Sequence, residues 1–305
     1  MLIFKNVFMQ SEFKYADLLD DDVFKLVFGR ESSKEVMIEF LNQVIPDRRI
    51  VDLEFVDKEM HYLDRSRKDS IYDMFCKTDD GSRIVVEVQR RKQANFAERA
   101  VYYSTFSIIN QVSVGAASYD FCPVYVISIL NFPFKSGGPD VKSEFRLYET
   151  NTRELLTDRV TLIFLDLSKF KKCAEELSGD VLEGMYFCFK NMSTLVERPE
   201  VLEHNVFRKI FEVSELINMD EVTRSKVIEK MITERDLRNQ MEYALNEAIA
   251  EGHAEGLAKG HAEGHAEGHA EGLAEAARRM LAAGMTVESV AEILQIPEEK
   301  IKEML

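Results

Sequence analysis

Closely spaced cysteines and long apolar runs are both missing from this sequence, and each absence excludes a class of protein. The four cysteines are scattered, without the paired spacing that zinc and redox sites use, so reduced thiols are expected. No stretch reaches the roughly eighteen apolar residues needed to cross a bilayer. Charged residues follow soon after the N-terminal Met1, so no apolar core of a signal peptide is predicted. We therefore expect a cytoplasmic protein with no membrane contact.

Basic residues are also scarce relative to acidic ones. The chain has 39 Lys and Arg against 54 Asp and Glu, a formal net charge of −15. This deficit argues against a protein that coats DNA through a uniformly basic face, because such binding needs clustered Lys and Arg. An enzyme whose metal site is itself acidic remains compatible with it. With 305 residues, 46% of them hydrophobic, the chain can form one large or two ordinary domains.

The order of helical and strand-like patterns predicts an α/β domain followed by helices. Helical spacing is found at 32–45, where Ser32 or Ser33 can act as the N-cap, and again at about 94–114. Strand-like runs occupy 70–77 and 82–89, separated by a turn sequence, and then 122–132 and 160–167. The predicted organisation is an α/β core at 1–170, a helical region at 171–245, a glycine repeat at 246–275 and a small helical unit at 276–305.

The glycine repeat places a glycine at every fourth position from Gly252 to Gly272. Six glycines inside a helix cost roughly 6 kcal/mol relative to alanine, so such a helix needs a partner that packs against it. Two interpretations remain open: a helix that self-associates through closely approaching backbones, and a flexible linker. The repeated histidines are best explained as products of the duplicated unit rather than as a metal site. The unit at 276–305 resembles a helix-turn-helix, but its balanced charges favour assembly over DNA reading.

Two acids interrupt the apolar strands of the predicted hairpin, Asp73 in the first and Glu87 in the second. One interpretation is that they are ordinary outward residues on an exposed face. The other depends on register. A three-residue loop at 79–81, with Gly81 in the left-handed region, places Asp73 opposite Glu87, whereas a two-residue loop sends them to opposite faces. Paired, they would form a cluster with the Gln89 amide, and two carboxylates with a neighbouring backbone carbonyl make a hard oxygen site suited to Mg²⁺ or Mn²⁺.

Motifs in a fixed order along most of the chain resemble the PD-(D/E)xK nuclease core, and more specifically the Rpn family of recombination-promoting nucleases, also described as transposases. The helical motifs are Asp-x-x-Phe-Lys-x-x-Phe-Gly at 21–29, Phe-Leu-Asn at 40–42 and Arg-x-x-Tyr-Tyr at 99–103. The strand motifs are Asp73, Glu-x-Gln at 87–89 and Phe-Leu-Asp-Leu-x-Lys-Phe at 164–170. The glycine-punctuated tail is also similar to that of many members.

The resemblance implies an α/β fold with a restriction-endonuclease-like core, a mixed sheet flanked by helices, and a helical C-terminal extension. It implies a metal-dependent DNA endonuclease linked to recombination, mobile elements or phage defence, with Mg²⁺ or Mn²⁺ as cofactor. Asp73 and Glu87 would be metal ligands, Gln89 would stand where the core has a lysine, and Asp21 would be the acid of the first helix. These four are the predicted catalytic residues.

Two positions depart from the pattern of the family. Tyr72 replaces a proline, which is a common change. Gln89 replaces a lysine and removes a charge that could stabilise the transition state, so either a nearby base compensates or turnover is slow. The candidates, which are also the predicted contacts to phosphate and DNA, are Arg90, Arg91, Lys92 and Arg99. The alternative interpretation of this basic run is the solvated start of a helix.

A second function stays open beside the endonuclease. In it the nuclease core has decayed, and the chain is a catalytically weak or inactive nucleic-acid-binding or regulatory protein. In both functions the expected partners are DNA and further copies of this chain, joined as a homo-oligomer through the C-terminal helical tail.

Overall fold

The computed structural model describes residues 13–45, 48–56, 73–92, 95–112 and 118–303. The chain divides into two compact units, with the boundary between Ile232 and Thr233. Within the described ranges, no helix is both long and apolar enough to cross a membrane. Position 72, where the proline of the family pattern is replaced, lies outside the described residues, as does the start of the first predicted hairpin strand.

The first unit contains a mixed six-stranded sheet in the order β1-β2-β3-β4-β6-β5. Its three central strands β3, β4 and β6 are parallel, and the outer strands pair antiparallel to their neighbours. The strands are β1 Leu53–Phe55, β2 Met74–Thr78, β3 Arg83–Gln89, β4 Val124–Leu130, β5 Lys142–Tyr148 and β6 Leu155–Asp166. This mixed sheet with flanking helices and a helical C-terminal extension confirms the predicted fold class.

The helices of the described chain follow the predicted order. They are α1 Asp21–Phe28, α2 Lys34–Val44, α3 Phe96–Ile109, α4 Val181–Asn191, α5 Asn205–Ser214, α6 Glu221–Ala282, α7 Val287–Leu294 and α8 Glu298–Glu303. Ser33 stands at the N-cap position of α2, as predicted, but its side chain makes no capping bond and its hydroxyl donates to the Arg30 carbonyl instead.

Both faces of the sheet are covered, each by its own core. On one face, β3 contributes Ile84, Val86 and Val88 to a large core that includes α1, α2, α4 and α5. On the other face, Val85 packs with Phe96 and other residues of α3. Side chains alternate along a strand, so Glu87 lies on the α3 face with Val85. The interpretation of Asp73 and Glu87 as residues on a solvent-exposed face of the hairpin is therefore wrong for Glu87, which is only 1% exposed.

The glycine repeat is part of α6, a single helix of 62 residues. The repeat is therefore helical, and the interpretation as a flexible linker is not what the structure shows. Apart from neighbouring residues and the backbone of the same helix, a Cβ atom built at any of the six glycines from Gly252 to Gly272 would meet no atom of the described residues within 4 Å. The described residues therefore place no packing partner against these glycine positions.

The end of the second unit is a small helical cluster. Helix α6 ends at Ala282, and Gly284 follows with a φ of +90°. The Thr286 side chain accepts a hydrogen bond from the Ser289 N–H and so caps α7. Ala277, Val290 and Ile301 form the buried centre of this cluster. The domain boundaries at 170, 245 and 275 stay predictions.

Candidate active site

The turn between β2 and β3 sets the register of the hairpin. The Thr78 N–H donates to the Ser82 carbonyl over 3.0 Å, which closes a three-residue loop. Gly81 has a φ of +84°, in the left-handed region that favours glycine. The Asp80 carboxylate accepts from the Thr78 hydroxyl at 2.6 Å and from the Ser82 N–H at 3.0 Å. The predicted three-residue loop is confirmed.

This register brings the two acids together at the far end of the hairpin. Lys77 pairs with Arg83 and Met74 with Val86, so Asp73, immediately before β2, comes opposite Glu87. The Asp73 N–H donates to Glu87 Oε1 over 3.3 Å. In return, Asp73 Oδ2 accepts from the N–H of Val88 at 2.7 Å. The two carboxylates therefore share one side of the sheet and are fixed by backbone groups of each other's strand.

Glu87 is held in an environment that disfavours its charged form. Burial, and after it the negative charge of Asp73, raise the pKa of Glu87 to about 7. The ion pair with Arg99 acts in the opposite direction but does not cancel these effects. A cation beside Glu87 would offset both the burial of its charge and the repulsion by the second carboxylate. Groups with a shifted pKa of this kind are frequent at functional sites.

Arg99 supplies that cation within the chain. Its Nη2 pairs with Glu87 Oε2, and its guanidinium lies 5.3 Å from the ring centroids of both Phe96 and Tyr103. The Arg99 side chain is 31% exposed, whereas that of Glu87 is 1% exposed. Burial, and next the charge of Glu87, raise the pKa of Tyr103 to about 12, so its hydroxyl stays protonated. Arg99 therefore reaches from the buried carboxylate towards the surface.

The other predicted basic contacts lie in different places. Arg90 is turned towards the N-terminal segment, where its Nε donates to the Leu19 carbonyl at 2.8 Å and its Nη2 lies 3.2 Å from Asp17 Oδ2. Arg91 and Lys92 are exposed. Of the four predicted bases, Arg99 is the one for which the described residues show an ion pair with a hairpin acid.

Gln89 ends β3 on the same face as Glu87 and is half-buried. Its backbone carbonyl accepts from the Asn131 N–H at 2.9 Å, which ties the end of β3 to the end of β4. This places the Gln89 side chain beyond Glu87 at the edge where the parallel strands end. Its predicted role in the site stays a prediction.

Asp21 does not join the two hairpin acids. It is the exposed first residue of α1, and its neighbours are engaged elsewhere: Asp20 caps the helix, and both Asp20 and Asp22 pair with Lys230. Among the described residues, no group of three or more His, Cys, Asp or Glu side chains could hold a metal ion. The acid predicted on the first helix is therefore not part of the Asp73 and Glu87 cluster.

Comparison with known proteins identifies the family of the chain. Residues 18–244 match the model of a family described as PD-(D/E)XK nuclease family transposase. The chain belongs to this family. The resemblance stated from the motifs is thereby confirmed, and it covers both hairpin acids and all six strands. No match was found among the curated proteins or the solved structures.

The family name describes two separate motifs, Pro-Asp and, further along the chain, Asp or Glu followed by any residue and Lys. In this chain Asp73 is the Asp of the first motif, and Glu87-Val88-Gln89 is the second. Nucleases of the PD-(D/E)XK type generally use divalent metal ions. The donors fit such an ion, because two carboxylates and an amide oxygen are the hard ligands preferred by Mg²⁺ and Mn²⁺. With two carboxylates, the remaining coordination positions would belong to water or to the phosphate of a substrate.

Ser128 is a polar residue of this PD-(D/E)XK core that the motif analysis missed. It lies on β4 directly beside Glu87 and is fully buried. A hydroxyl in the otherwise apolar run 124–130 was the available signal, but the sequence alone could not show that this position lies next to the acid.

Proposed function

We propose that this chain hydrolyses phosphodiester bonds within DNA in a reaction that requires Mg²⁺ or Mn²⁺ held by Asp73 and Glu87. The observation that carries the proposal is the pairing of these two carboxylates across the β2–β3 hairpin in a member of a nuclease-type family. The metal, when bound, lowers the pKa of a water and stabilises the charge that develops on phosphate. Recombination, movement of mobile elements and phage defence are the roles that the family resemblance supports.

Each residue of the site has a separate task in this proposal. Asp73 and Glu87 hold the ion through carboxylate oxygens. The Gln89 amide, two residues further along the same face, orients the attacking water or a phosphate oxygen but brings no charge. A neutral amide stabilises a developing negative charge less well than a lysine, so the site needs a cation from another element.

Arg99 is the residue that best supplies this cation. Its guanidinium already lies on Glu87, whereas Arg90 is turned towards Asp17. If Glu87 held an ion, the partly exposed Arg99 would be free to pair with a phosphate at the surface. Arginine suits this task because its planar fork matches phosphate geometry. Arg91 and Lys92, exposed on the segment after β3, are proposed as further contacts to the DNA backbone.

Two observations favour a second function, in which the chain binds nucleic acid with little or no catalysis. Glu87 is already paired with Arg99, and the described residues provide no third acid to complete the cluster. In that case the ion pair would be a structural replacement for the metal. The long tail helix would then act mainly in assembling several copies of the chain.

Nicking of supercoiled plasmid by the purified full-length protein separates the two functions. We expect nicking in the presence of Mg²⁺ or Mn²⁺ and its loss in Asp73→Asn and Glu87→Gln, which remove the charge with little change of shape. Asp79→Asn is the matched control, because Asp79 is an exposed acid of the same hairpin, and it should nick like the wild type. Nicking that persists in both site variants would rule out the assigned site. Absence of nicking in the wild type, with DNA binding intact, would favour the second function.

A further inference from the structure

Ser128 lies next to Glu87 in the centre of the sheet. In the parallel ladder of β3 and β4, Glu87 is in register with Ser128, and on the other side Ser128 is in register with Phe164 of β6. Residues in register on neighbouring parallel strands point to the same face, and the strands are about 4.8 Å apart. Val126 and Leu130, two positions before and after Ser128, both pack in the core on the α3 side. The Ser128 side chain therefore shares the α3 face with Glu87.

The hydroxyl of Ser128 is a costly group at this position. Ser128 is 0% exposed, and its Oγ has no hydrogen-bond partner among the described residues. Leaving a buried hydroxyl without a partner is destabilising, and an aliphatic side chain would pack here without that cost. The remaining residues of β4 have large hydrophobic side chains, all of them buried. Packing alone would favour an aliphatic residue at position 128, so we look for a role of the serine hydroxyl in hydrogen bonding.

The Glu87 carboxylate can accept more hydrogen bonds than the two it has from described residues. Its Oε1 accepts a long bond from the Asp73 N–H, and its Oε2 accepts from Arg99. A carboxylate can accept about four hydrogen bonds. A serine side chain has three staggered positions for its hydroxyl, so rotation about a single bond re-aims it. Ser128 and Glu87 are thus a potential donor and acceptor side by side on adjacent strands.

We propose that Ser128 is a positioning residue of the acidic site, whose hydroxyl donates to the Glu87 carboxylate when a divalent cation displaces Arg99 from it. The proposal rests on the proposed function, because it requires the ion to bind at Glu87. The ion and the guanidinium compete for the same carboxylate, so Glu87 loses one of its two donors when the ion arrives. Ser128 then keeps the carboxylate oriented towards the ion, as outer hydrogen bonds do for other metal ligands.

Calorimetric titration of the full-length protein with MnCl₂, in the absence of DNA, tests this role without any measurement of activity. We expect Ser128→Ala to weaken Mn²⁺ binding about 10- to 100-fold. Ser128→Thr, which keeps the hydroxyl, should bind within about threefold of the wild type. Ser128→Cys fills the same space with only a weak donor, so its affinity should stay close to that of Ser128→Ala.

Ser107→Ala is the matched control. Ser107 is also a buried serine of the α3 and sheet interface whose Oγ lacks a hydrogen-bond partner in the described chain, but it lies eight residues along α3 from Arg99, about 12 Å away. Its variant should bind Mn²⁺ like the wild type. If Ser128→Ala or Ser128→Cys also binds like the wild type while folded by circular dichroism, the role of Ser128 is wrong and the proposed function stands. If Asp73→Asn and Glu87→Gln bind Mn²⁺ undiminished, the metal site itself is wrong and the Ser128 proposal falls with it.

Discussion

At the scale of single residues, the site is defined by one buried acid and the groups that compensate for it. Glu87 lies in a sheet whose two faces are both covered, and beside a second carboxylate. Taking a carboxylate out of water is costly unless charge and hydrogen bonds replace its hydration. Arg99 and the Asp73 N–H provide that replacement in the metal-free chain. Two predictions follow from this single residue.

The stability of the metal-free protein should fall as pH rises through neutrality. Glu87 has a pKa of about 7 in the folded state against 4.5 ordinarily. The folded state therefore retains a proton that the unfolded chain releases, and this contribution is full below pH 4.5 and lost above pH 7. We expect wild type to lose up to about 3 kcal/mol between pH 5 and pH 8 relative to Glu87→Gln. Urea unfolding in EDTA measures it, and parallel pH profiles of the two proteins would contradict it.

Arg99→Gln should destabilise the metal-free protein in a pH-dependent manner. At pH 8 the variant leaves the buried Glu87 charge without its partner, and we expect a loss of about 1–3 kcal/mol, the lower end reflecting the partial exposure of Arg99. At pH 5 Glu87 is protonated, so the loss should largely disappear. Lys92→Gln, an exposed charge from the segment before α3, is the control and should change stability by less than about 0.5 kcal/mol. Equal losses at both pH values would show that the ion pair is not the cause.

At the scale of elements, the β2–β3 hairpin is the unit that creates the site. The backbone of its turn sets the register, and the register decides whether Asp73 faces Glu87 or lies on the opposite side of the sheet. The central β4 adds Ser128, and α3 adds Arg99 from above the same face. The site is thus assembled from three elements that are separated along the sequence.

Gly81→Ala should lower stability through this turn. The glycine has a positive φ, and a Cβ atom there would lie 2.9 Å from Cys122 Sγ. We expect a loss of about 1–2 kcal/mol in the free energy of unfolding, measured by urea denaturation. Gly138→Ala is the control, because a Cβ at that loop position meets nothing within 4 Å, and its effect should be close to zero. Equal effects of the two variants would mean that the turn conformation is not required.

At the scale of the whole molecule, the acids of the hairpin lie in the first unit and those of the glycine repeat in the second. The proposed assembly concerns the second unit. The net charge of −15 is a poor guide to the partner, because the hairpin acids lie in the candidate site whereas the repeat has a Glu in nearly every tetrapeptide. The family match extends over residues 18–244, so the glycine repeat and the terminal helical cluster lie beyond it. Their function has to be tested separately from that of the core.

The glycine positions of α6 allow a direct test of the proposed self-association. In a triple variant, Gly256→Ala, Gly260→Ala and Gly264→Ala, the added methyl groups meet no described atom within 4 Å apart from neighbouring residues and the backbone of their own helix. Each alanine should favour the helix by about 1 kcal/mol, so helix content by circular dichroism should persist to higher temperature. If backbones approach one another along these glycines, the same variant should shift the mass measured by light scattering towards the monomer. A monomeric wild type, or an unchanged oligomer in the variant, would contradict assembly through the glycine positions.

Much of this protein was determined by local sequence. The turn residues at 79–81 specify the hairpin register, because only a glycine accepts the backbone conformation of the third loop position at little cost. The apolar runs predict β4 and β6, and the capping Thr286 predicts α7. Strand β5 was not predicted, because an edge strand with alternating charges has no continuous apolar run. The three-residue β1 was missed for lack of length.

Tertiary structure alone decided which residues of other elements meet the two hairpin acids. Asp21 and Arg90 have the right chemistry in the sequence, but packing of the N-terminal segment turns them away from Glu87. Ser128 and Arg99 come to Glu87 from other elements, through parallel pairing of β3 with β4 and the seating of α3 on one face. A local sequence pattern predicts which face of its own strand or helix a side chain occupies. It does not predict which strands pair with each other. That pairing is driven by burial of the two cores, and it brings Arg99 and Ser128 beside Glu87 in the candidate site.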